Sequence, residues 1–228
     1  MTATGVWAVV VAAGRGERLR SEHPKAFAKL GGRPLLAESL ERLEASEWIE
    51  AIVAVAPVGW EEPVILLAEE LGAGKVAASI PGGETRDASV RAGLAEVPTD
   101  APAVLVHDAA RPLLPADVVE RVLAPLGEGW DGAVAALPIA DTVKSARGGR
   151  VVETLDRSHL YLVQTPQAFA ADVLRGAIAR AEKGGTDCAS YVEAAGGSVR
   201  LVPGDPRLVK VTTAADLAFV EQILGAAG

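Results

Sequence analysis

The sequence predicts an α/β fold in which helices cover both faces of a mostly parallel sheet. Short β-branched runs alternate with helix-like segments along the first part of the chain, an order typical of parallel sheets. Although 50% of the residues are hydrophobic, only 4% are aromatic, so the core must be built from Ala, Val and Leu. The length suits a single domain over residues 1–228, because no segment is long enough to separate two domains.

Charge and composition narrow the class of ligand. The formal net charge of −8 argues against a nucleic-acid partner, and the acids lie mostly in helix-like segments. A single cysteine, Cys188, excludes an intramolecular disulfide framework. The chain opens with no signal peptide and has no apolar run of membrane-spanning length. We therefore expect a cytoplasmic protein that binds a small anionic ligand and no membrane.

A strand predicted over Trp7–Val11 leads into a loop rich in glycine and cations. Ala12 and Ala13 are small, and Gly14 and Gly16 can expose successive N–H groups that cradle phosphate oxygens. The cations of this loop are Arg15, Arg18, Arg20 and Lys25. The pattern lacks the third glycine of a dinucleotide fingerprint and the Gly-Lys-Ser/Thr of a P-loop. An ordinary strand-to-helix turn is the alternative, but four cations favour a triphosphate.

The elements after this loop alternate as a parallel sheet requires. A helix is predicted at Pro34–Leu43, opened by Pro34, because Leu36, Leu40 and Leu43 share one face. A strand at Ile49–Ala56, a helix at Glu61–Leu71 and a strand at Lys75–Ile80 follow.

A second glycine loop, Pro81–Gly83, leads into an amphipathic helix. Loops that follow the carboxyl ends of parallel strands line one crevice, so we expect this loop to face the first one. Arg86 and Ser89 are polar and one helical turn apart. Their spacing favours contact with a ligand over a plain turn.

An acid follows the next predicted strand, Ala103–His107. At that position Asp108 can hold Mg²⁺ through one oxygen while the ion bridges phosphate oxygens. A helix cap, or a salt bridge to Arg111, explains the same residue equally well from the sequence alone. We interpret His107 as a buried structural residue, with a general base as the alternative.

A polar hairpin is predicted at 141–155, after a helix at Ala116–Leu126 and a strand at Gly132–Leu137. Its two short strands flank Gly148-Gly149, a pair that suits primed turns. A hairpin this polar has little core of its own, so it covers the active site, contacts another subunit or is solvated decoration. Arg157 follows it and can carry positive charge toward a phosphate.

The end of the chain is predicted to return to the sheet. The expected elements are a strand at Leu160–Val163, helices at Ala170–Glu182 and Ala189–Ala195, and strands at Val199–Val202 and Leu208–Thr212. Lys210 is the charge within the last strand, where it either reaches a ligand or extends from a sheet edge into solvent. Thr213 opens the final helix, with Asp216 three residues on.

Five motifs in this order resemble the 2-C-methyl-D-erythritol 4-phosphate cytidylyltransferase family. They are Ala12-Ala13-Gly14-Arg15-Gly16-Glu17-Arg18 with Pro24-Lys25, Gly82-Gly83-Glu84-Thr85-Arg86-Asp87-Ala88-Ser89-Val90, Val106-His107-Asp108-Ala109-Ala110-Arg111-Pro112, Gln164-Thr165-Pro166-Gln167 and Lys210-Val211-Thr212. The resemblance spans nearly the whole chain. It implies a Rossmann-like nucleotidyltransferase domain whose projecting β-arm, residues 139–158, clasps a twin subunit in a homodimer. It also implies the non-mevalonate route to isoprenoid precursors, in which CTP and methylerythritol phosphate give a cytidyl diphosphate adduct and pyrophosphate.

The resemblance implies a role for each matching residue. The catalytic set is Arg18, Lys25, Arg157 and Lys210, and Asp108 anchors Mg²⁺. The CTP-binding set is Ala12, Ala13, Gly14, Arg15, Gly16, Lys25, Gly83, Glu84, Arg86 and Ser89. The acceptor-phosphate set is Arg111, Thr142, Arg157, Thr165 and Lys210, with Thr142 and Arg157 reaching in from the partner's arm. Relatives usually carry a second acid after the aspartate that corresponds to Asp187, and here Cys188 stands in its place.

Two other functions remain open from the sequence alone. A related enzyme acting on ribitol 5-phosphate would share nearly every motif. The other alternative is a non-catalytic nucleotide sensor on the same fold. The joint retention of Arg18, Lys25, Asp108 and Lys210 argues against it.

The reaction that the resemblance implies needs no general base, because the attacking phosphate is already ionised. It needs two polyanions held in line and cations that offset their charge.

Overall fold

The structure is a computed structural model, and it describes residues 5–14, 16, 19, 23–181 and 184–226. The strands in these ranges are β1 (Val6–Val11), β2 (Lys29–Leu30), β3 (Arg33–Pro34), β4 (Ile49–Ala56), β5 (Val76–Pro81), β6 (Ala103–Asp108), β7 (Gly132–Pro138), β8 (Lys144–Arg147), β9 (Arg150–Thr154), β10 (Tyr161–Ala170) and β11 (Val199–Pro203). The helices are α1 (Leu35–Glu44), α2 (Glu61–Leu71), α3 (Arg86–Glu96), α4 (Ala116–Gly127), α5 (Ala171–Arg180), α6 (Ala189–Ala194) and α7 (Ala214–Ala226). None of these helices is both long enough and apolar enough to cross a membrane.

A mostly parallel sheet forms the centre of the fold, as the sequence predicts. Among the described residues its strand order is β11-β7-β10-β6-β1-β4-β5. Strand β1 pairs in parallel with both β4 and β6, whereas β10 runs antiparallel between β6 and β7. After β5 the chain crosses to the other side of β1, so the direction of strand order reverses there. Such a reversal opens a crevice at the carboxyl ends of the strands.

Helices cover both faces of this sheet. Along β1, Ala8 and Val10 pack with side chains of α1, α2 and α4 on one face. Val9, between them, packs with α3, α5 and α6 on the other face. All three residues are fully buried. The alternation of side chains along a strand therefore divides the core into two layers, one on each face.

The predicted hairpin is present as the separate two-stranded sheet of β8 and β9. Gly148 and Gly149 have φ values of 55° and 78°, the left-handed conformation that a type I′ turn requires at both central positions. All residues of both strands are exposed. Val151 and Val152 thus present apolar side chains on a hairpin that has no buried residue within this chain.

Three predicted elements are wrong. The segment Leu208–Thr212 is irregular, because Val211 N–H donates to Ala110 O (2.8 Å) in the loop after β6 instead of joining a sheet. Pro34 does not open α1; it pairs with Lys29 in the β2–β3 ladder, and its ψ of 137° is extended. The strand predicted to stop at residue 163 continues as β10 to Ala170, so the motif at 164–167 lies within it.

Close packing of α3 on the sheet depends on Gly93. A Cβ added at this position would overlap Val9 Cγ1 and lie 2.9 Å from Val55 Cγ2. Both valines are fully buried in the core, so neither can move without disturbing its neighbours.

We expect Gly93→Ala to lower the free energy of unfolding by about 1–3 kcal/mol, since overpacking forces buried side chains off their preferred rotamers. Gly127→Ala is the matched control, because no described atom outside its local backbone lies within 4 Å of a Cβ added there. That change should be neutral or stabilising by up to about 1 kcal/mol. Urea denaturation measures both; equal stability of the two variants would contradict the close approach.

Candidate active site

A large cavity lies at the carboxyl ends of β1, β4, β5 and β6, where the strand order reverses. Its volume is about 1040 Å³. It is lined by residues 11–14, 23–26, 57, 58, 60, 82–86, 89 and 108–110, together with Leu35 and Lys210. The two glycine loops therefore face each other across one crevice, which confirms the prediction from parallel-sheet geometry.

The two glycine loops are in direct contact. A Cβ added to Gly82 would overlap Ala13 Cβ and lie 2.9 Å from Ser89 Oγ. In the first loop, Gly16 has a φ of 68° and backs onto the Cβ of Lys25. Small residues at these points let Ala13 and Gly82 approach each other closely, and both residues line the cavity.

The second loop is held in shape by the start of α3. Ser89 Oγ accepts a hydrogen bond from Gly83 N–H (3.1 Å) and donates to Thr85 O (2.9 Å). Thr85 Oγ1 in turn accepts from Ala88 N–H (3.0 Å) and caps the helix. Ser89 is buried, whereas Glu84 is exposed at the cavity. The loop is thus pre-organised, with a carboxylate at its rim.

Asp108 ends β6, and its carboxylate lies between two cations. Arg86 Nε donates to Oδ1 at 2.9 Å and Lys210 Nζ donates to Oδ2 at 2.7 Å. Burial alone would raise the pKa of Asp108, but the charges and hydrogen bonds of the two cations hold that pKa well below its usual value. Asp108 is therefore ionised. Its salt bridges go to Arg86 and Lys210, so a salt bridge is present but the predicted partner, Arg111, is wrong, and the helix cap is wrong as well.

Cys188 lies behind Arg86, a position that the sequence did not suggest. Arg86 Nη1 is 3.8 Å from the Cys188 Sγ, so its guanidinium is held between a carboxylate and a thiol. Burial raises the pKa of Cys188 to about 11, which keeps the thiol neutral. Arg86 lines the cavity but directs its Nε to Asp108, so the structure places it beside the predicted metal anchor.

His107 is fully buried and does not line the cavity. Its Nε2 is 3.1 Å from Arg111 O and must donate, so Nδ1 accepts from Thr165 Oγ1 at 3.4 Å. Thr165 Oγ1 also accepts from Asp108 N–H at 3.0 Å. Burial lowers the pKa of His107 to about 4. These contacts support a structural histidine that fixes the backbone around Asp108.

The cavity gathers most of the predicted site residues. Those that line it are Ala12, Ala13, Gly14, Lys25, Gly83, Glu84, Arg86, Ser89, Asp108 and Lys210. Arg15 and Arg18 lie outside the described residues, and their predicted roles stay predictions. Among the described residues, the lysines and arginines that line the cavity are Lys25, Arg86 and Lys210, from three separate segments of the chain.

The other predicted acceptor-binding residues lie outside this lining. Arg111 donates through Nη1 to Leu208 O at 2.5 Å, and its buried Nε has no hydrogen-bond partner among the described residues. Thr165 lies behind Asp108. Thr142 and Arg157 are exposed at the base of the hairpin, where Arg157 Nη1 donates to Ala140 O. The geometry of one chain therefore does not unite these residues with the cavity.

Sequence reasoning missed an aromatic wall of the cavity. The ring of Trp60 lies 4.5 Å from the Phe27 ring and 5.7 Å from the His23 ring, measured between centroids. Phe27 ends the short 3₁₀ turn Lys25–Phe27, so the contact ties the turn that carries Lys25 to the start of α2. The signal was available: Trp60 follows a predicted strand and therefore lies at the same edge of the sheet as the glycine loops.

Comparison with known proteins gives one consistent result. The sequence model of the family described as 2-C-methyl-D-erythritol 4-phosphate cytidylyltransferase matches residues 6–226. A protein of that name from Saccharopolyspora erythraea is 45% identical over 223 residues, which cover 96% of this chain and 99% of the relative.

Solved structures agree. The crystal structure of a protein with the same name from Thermus thermophilus has a TM-score of 0.78 and 34% identity, over 95% of this chain and 98% of the other. A 4-diphosphocytidyl-2C-methyl-D-erythritol synthase from Anaerococcus prevotii has a TM-score of 0.85 and 25% identity, over 98% of this chain and 99% of the other.

The depressed pKa of His107 predicts how stability changes with pH. Unfolded His107 binds a proton near its usual pKa of 6.5, whereas the folded residue does so only near 4. Between these values the unfolded state binds more protons, so stability is lost as the pH falls from about 6.5 to 4, by up to about 3 kcal/mol. The stabilising effect of the Asp108 ion pairs is lost only at lower pH, below the usual carboxyl pKa of 3.8.

His107→Gln should therefore lose most of this pH dependence, because an amide does not titrate. Urea denaturation at pH 7.5 and pH 4.5 measures the effect. The variant should be less stable than the unaltered chain at pH 7.5, and the difference should shrink at pH 4.5. His159→Gln, a change at an exposed histidine, is the control and should behave as the unaltered chain. An unchanged pH dependence in His107→Gln would contradict the assignment.

Proposed function

The chain belongs to the 2-C-methyl-D-erythritol 4-phosphate cytidylyltransferase family, and from that premise we propose how its residues carry out the family reaction. The enzyme joins CTP and 2-C-methyl-D-erythritol 4-phosphate to give 4-diphosphocytidyl-2-C-methyl-D-erythritol and pyrophosphate, a step toward isoprenoid precursors. The observation that carries the proposed site is the cavity in which both glycine loops, Asp108 and Lys210 meet.

The second glycine loop is proposed to hold the cytosine. Gly83 and Glu84 are exposed at the cavity, and Ser89 fixes their conformation from below. The Glu84 carboxylate accepts hydrogen bonds only, so it suits the exocyclic amino group of cytosine. Uracil carries a carbonyl oxygen at that position, which would leave two acceptors facing each other.

The first loop and the cavity lysines are proposed to hold the triphosphate. Ala12, Ala13 and Gly14 line the cavity with small side chains, so backbone N–H groups can approach phosphate oxygens. Lys25 and Lys210 line the same cavity and supply positive charge, and Arg15 and Arg18 are predicted to add to it. Lys210 is also proposed to contact the acceptor phosphate, as the resemblance implies.

In this proposal the chemistry relies on position and charge. An oxygen of the acceptor phosphate attacks the α-phosphorus of CTP, and the bond from that phosphorus to the leaving pyrophosphate breaks. Since the acceptor phosphate is ionised at neutral pH, no residue needs to remove a proton. Lys25 and Lys210 offset the negative charge that builds up on the α-phosphate and the pyrophosphate.

Mg²⁺ is the proposed cofactor, and the donor set fits it. Among the described residues no cluster of three or more His, Cys, Asp or Glu side chains is arranged to hold a metal ion alone. Asp108 offers a carboxylate in a cavity proposed to hold phosphates, and Mg²⁺ is commonly held by one or two carboxylates together with phosphate and water oxygens. When bound, the ion would neutralise phosphate charge. Asp108 would hold it, and Lys25 and Lys210 would act beside it.

A homodimer is the proposed assembly of this single domain. The exposed strands β8 and β9 lack a core within the chain, and Val151 is 55% exposed. Arg157, next to this hairpin, lies outside the cavity of its own chain. We infer that residues 139–158 form the arm that clasps a second copy, so that Thr142 and Arg157 serve the acceptor site of the partner. The net charge of −8 supports a small-molecule enzyme with no nucleic-acid partner, and the cytoplasm is its proposed location.

The function is tested by offering CTP, UTP, ATP and GTP with either 2-C-methyl-D-erythritol 4-phosphate or ribitol 5-phosphate and measuring pyrophosphate release. We expect CTP with methylerythritol phosphate to be strongly preferred. Glu84→Ala should lower the preference for CTP over UTP by about tenfold or more, because a 1.4 kcal/mol loss of discrimination is tenfold. Glu62→Ala, at an exposed position in the first turn of α2, is the control. Equal use of CTP and UTP by the unaltered chain would refute the base site.

Sharing of the site between subunits is tested by mixing two inactive variants. Homodimers of Arg157→Ala or of Lys25→Ala each have two damaged sites. If Arg157 acts on the partner's site, a mixed dimer places both lesions in one site and leaves the other intact. After subunit exchange about a quarter of the unaltered activity should return, because half of the random dimers are mixed.

The control for this experiment is two differently tagged Lys25→Ala preparations, which should not recover activity when they are mixed. Copurification of the two tags confirms that subunits exchange. If the Arg157→Ala and Lys25→Ala mixture stays inactive although its subunits exchange, then Arg157 acts within its own chain.

A further inference from the structure

Arg86, Asp108 and Lys210 form an ion-pair cluster in the cavity, which we call the Asp108 cluster. The side chain of Asp108 is 8% exposed, that of Arg86 27% and that of Lys210 41%. Each oxygen of the carboxylate receives one cation: Oδ1 binds Arg86 and Oδ2 binds Lys210. Both oxygens that the proposed function offers to a divalent cation are therefore already engaged by the chain's own charges.

The two cations are held differently. Arg86 has a second contact, with the buried Cys188 Sγ, and its planar group is fixed at two points. Lys210 is more exposed and reaches Asp108 through a flexible four-carbon stem. Its backbone is held on the C-terminal side, where Val211 N–H donates to Ala110 O and Thr212 N–H donates to Asp216 Oδ2, each at 2.8 Å. The Lys210 ammonium can therefore move to a nearby anion without movement of the main chain.

The charge of the Asp108 cluster selects which ligand can enter first. One carboxylate and two cations sum to a charge of about +1, and the charges of Lys25 and Glu84, which line the same cavity, cancel each other. This field repels a bare divalent cation and attracts a triphosphate. A divalent cation that takes the place of the ammonium on Oδ2 requires Lys210 to move away.

We propose that Lys210 is a displaceable counter-ion: the triphosphate of CTP draws its ammonium off Asp108 Oδ2, and this exchange opens the carboxylate to the divalent cation. The inference rests on the proposed function and adds an order of events to it. Nucleotide binds first, and Asp108 becomes a metal ligand as a consequence. Arg86 stays on Oδ1 throughout and keeps the carboxylate oriented.

The release of Lys210 and the binding of the divalent cation are coupled, because each charged group needs an oppositely charged partner. If Lys210 left with nothing in its place, a nearly buried carboxylate would lose one of its two charged partners, which is costly. When the triphosphate takes Lys210 and a divalent cation takes Oδ2, every charge keeps a partner. By linkage, the nucleotide must raise the affinity of Asp108 for the cation by the same factor as the cation raises the affinity for the nucleotide.

The first experiment measures Mn²⁺ binding to the nucleotide-free protein, with electron paramagnetic resonance of the free ion as the readout. We expect Lys210→Gln to bind Mn²⁺ at least about tenfold more tightly than the unaltered chain, because Oδ2 is no longer covered. The double variant Lys210→Gln with Asp108→Asn should lose this gain. Lys75→Gln, a change outside the cavity lining at a residue that donates to Ser46 O, should bind Mn²⁺ as the unaltered chain does.

The second experiment measures binding of CTP in excess EDTA by calorimetry. Asp108→Asn should bind metal-free CTP about tenfold or more tightly than the unaltered chain, since Lys210 no longer has to leave an ion pair. If Asp108 serves only to hold Arg86 and Lys210 in place, the variant should instead bind CTP more weakly.

If circular dichroism shows that Lys210→Gln does not fold, Lys210→Met replaces it in the Mn²⁺ experiment.

The outcomes separate this inference from the proposed function. If the unaltered chain releases pyrophosphate from CTP and methylerythritol phosphate, but Lys210→Gln binds Mn²⁺ no more tightly than it does, the counter-ion exchange is wrong and the function stands. If Asp108→Asn binds metal-free CTP no more tightly than the unaltered chain does, the exchange is wrong as well. If the unaltered chain binds no CTP and releases no pyrophosphate, the proposed function itself fails.

Discussion

The arrangement of the site depends on one buried carboxylate that must keep its partners. Asp108 ends β6 at a place with little solvent, and a charge there is stable only if other groups of the chain surround it. Those groups come from far along the sequence: Arg86 is 22 residues away, Lys210 is 102 residues away, and the hydroxyl of Thr165 that accepts from Asp108 N–H is 57 residues away. The carboxylate therefore draws α3, β10 and the segment before α7 to the end of one strand.

Local patterns predicted the framework around that carboxylate well. The strand Ile49–Ala56 and the helix Glu61–Leu71 have the bounds that the sequence indicated, because hydrophobic period and turn residues agree there. The segment 208–212 has an equally strand-like pattern and is irregular. Its backbone groups bind elsewhere, with Val211 N–H on Ala110 O and Leu208 O accepting from Arg111. Apolar and β-branched composition reports burial, and the partner of the backbone decides whether a buried segment is a strand.

The sequence predicted the candidate site about as well as it predicted the strands and helices around it. Parallel-sheet topology places loops at one edge, so the meeting of Gly14 and Gly83 in one cavity follows from the order of elements. The pairing of Arg86 with Asp108 does not follow, because no sequence rule says which of several nearby anions or ligands a cation on a helix will bind. The position of Arg157 outside the cavity of its own chain could not be predicted for the same reason. A single sequence shows which charges exist, and contacts between distant segments decide how they are paired.

The neutral side chain at position 188 gains a physical explanation from this pairing. A carboxylate beside Arg86 would compete with Asp108 for the same guanidinium. The Cys188 thiol stays neutral because burial raises its pKa to about 11, so it supports Arg86 at 3.8 Å without dividing its charge. Arg86 therefore remains on Asp108 Oδ1, whether Oδ2 binds Lys210 or a divalent cation. Asp108 can therefore exchange its partner on Oδ2 without being left unpaired, because Arg86 stays on Oδ1. The neutral thiol of Cys188 contributes to this, since it does not compete with Asp108 for Arg86.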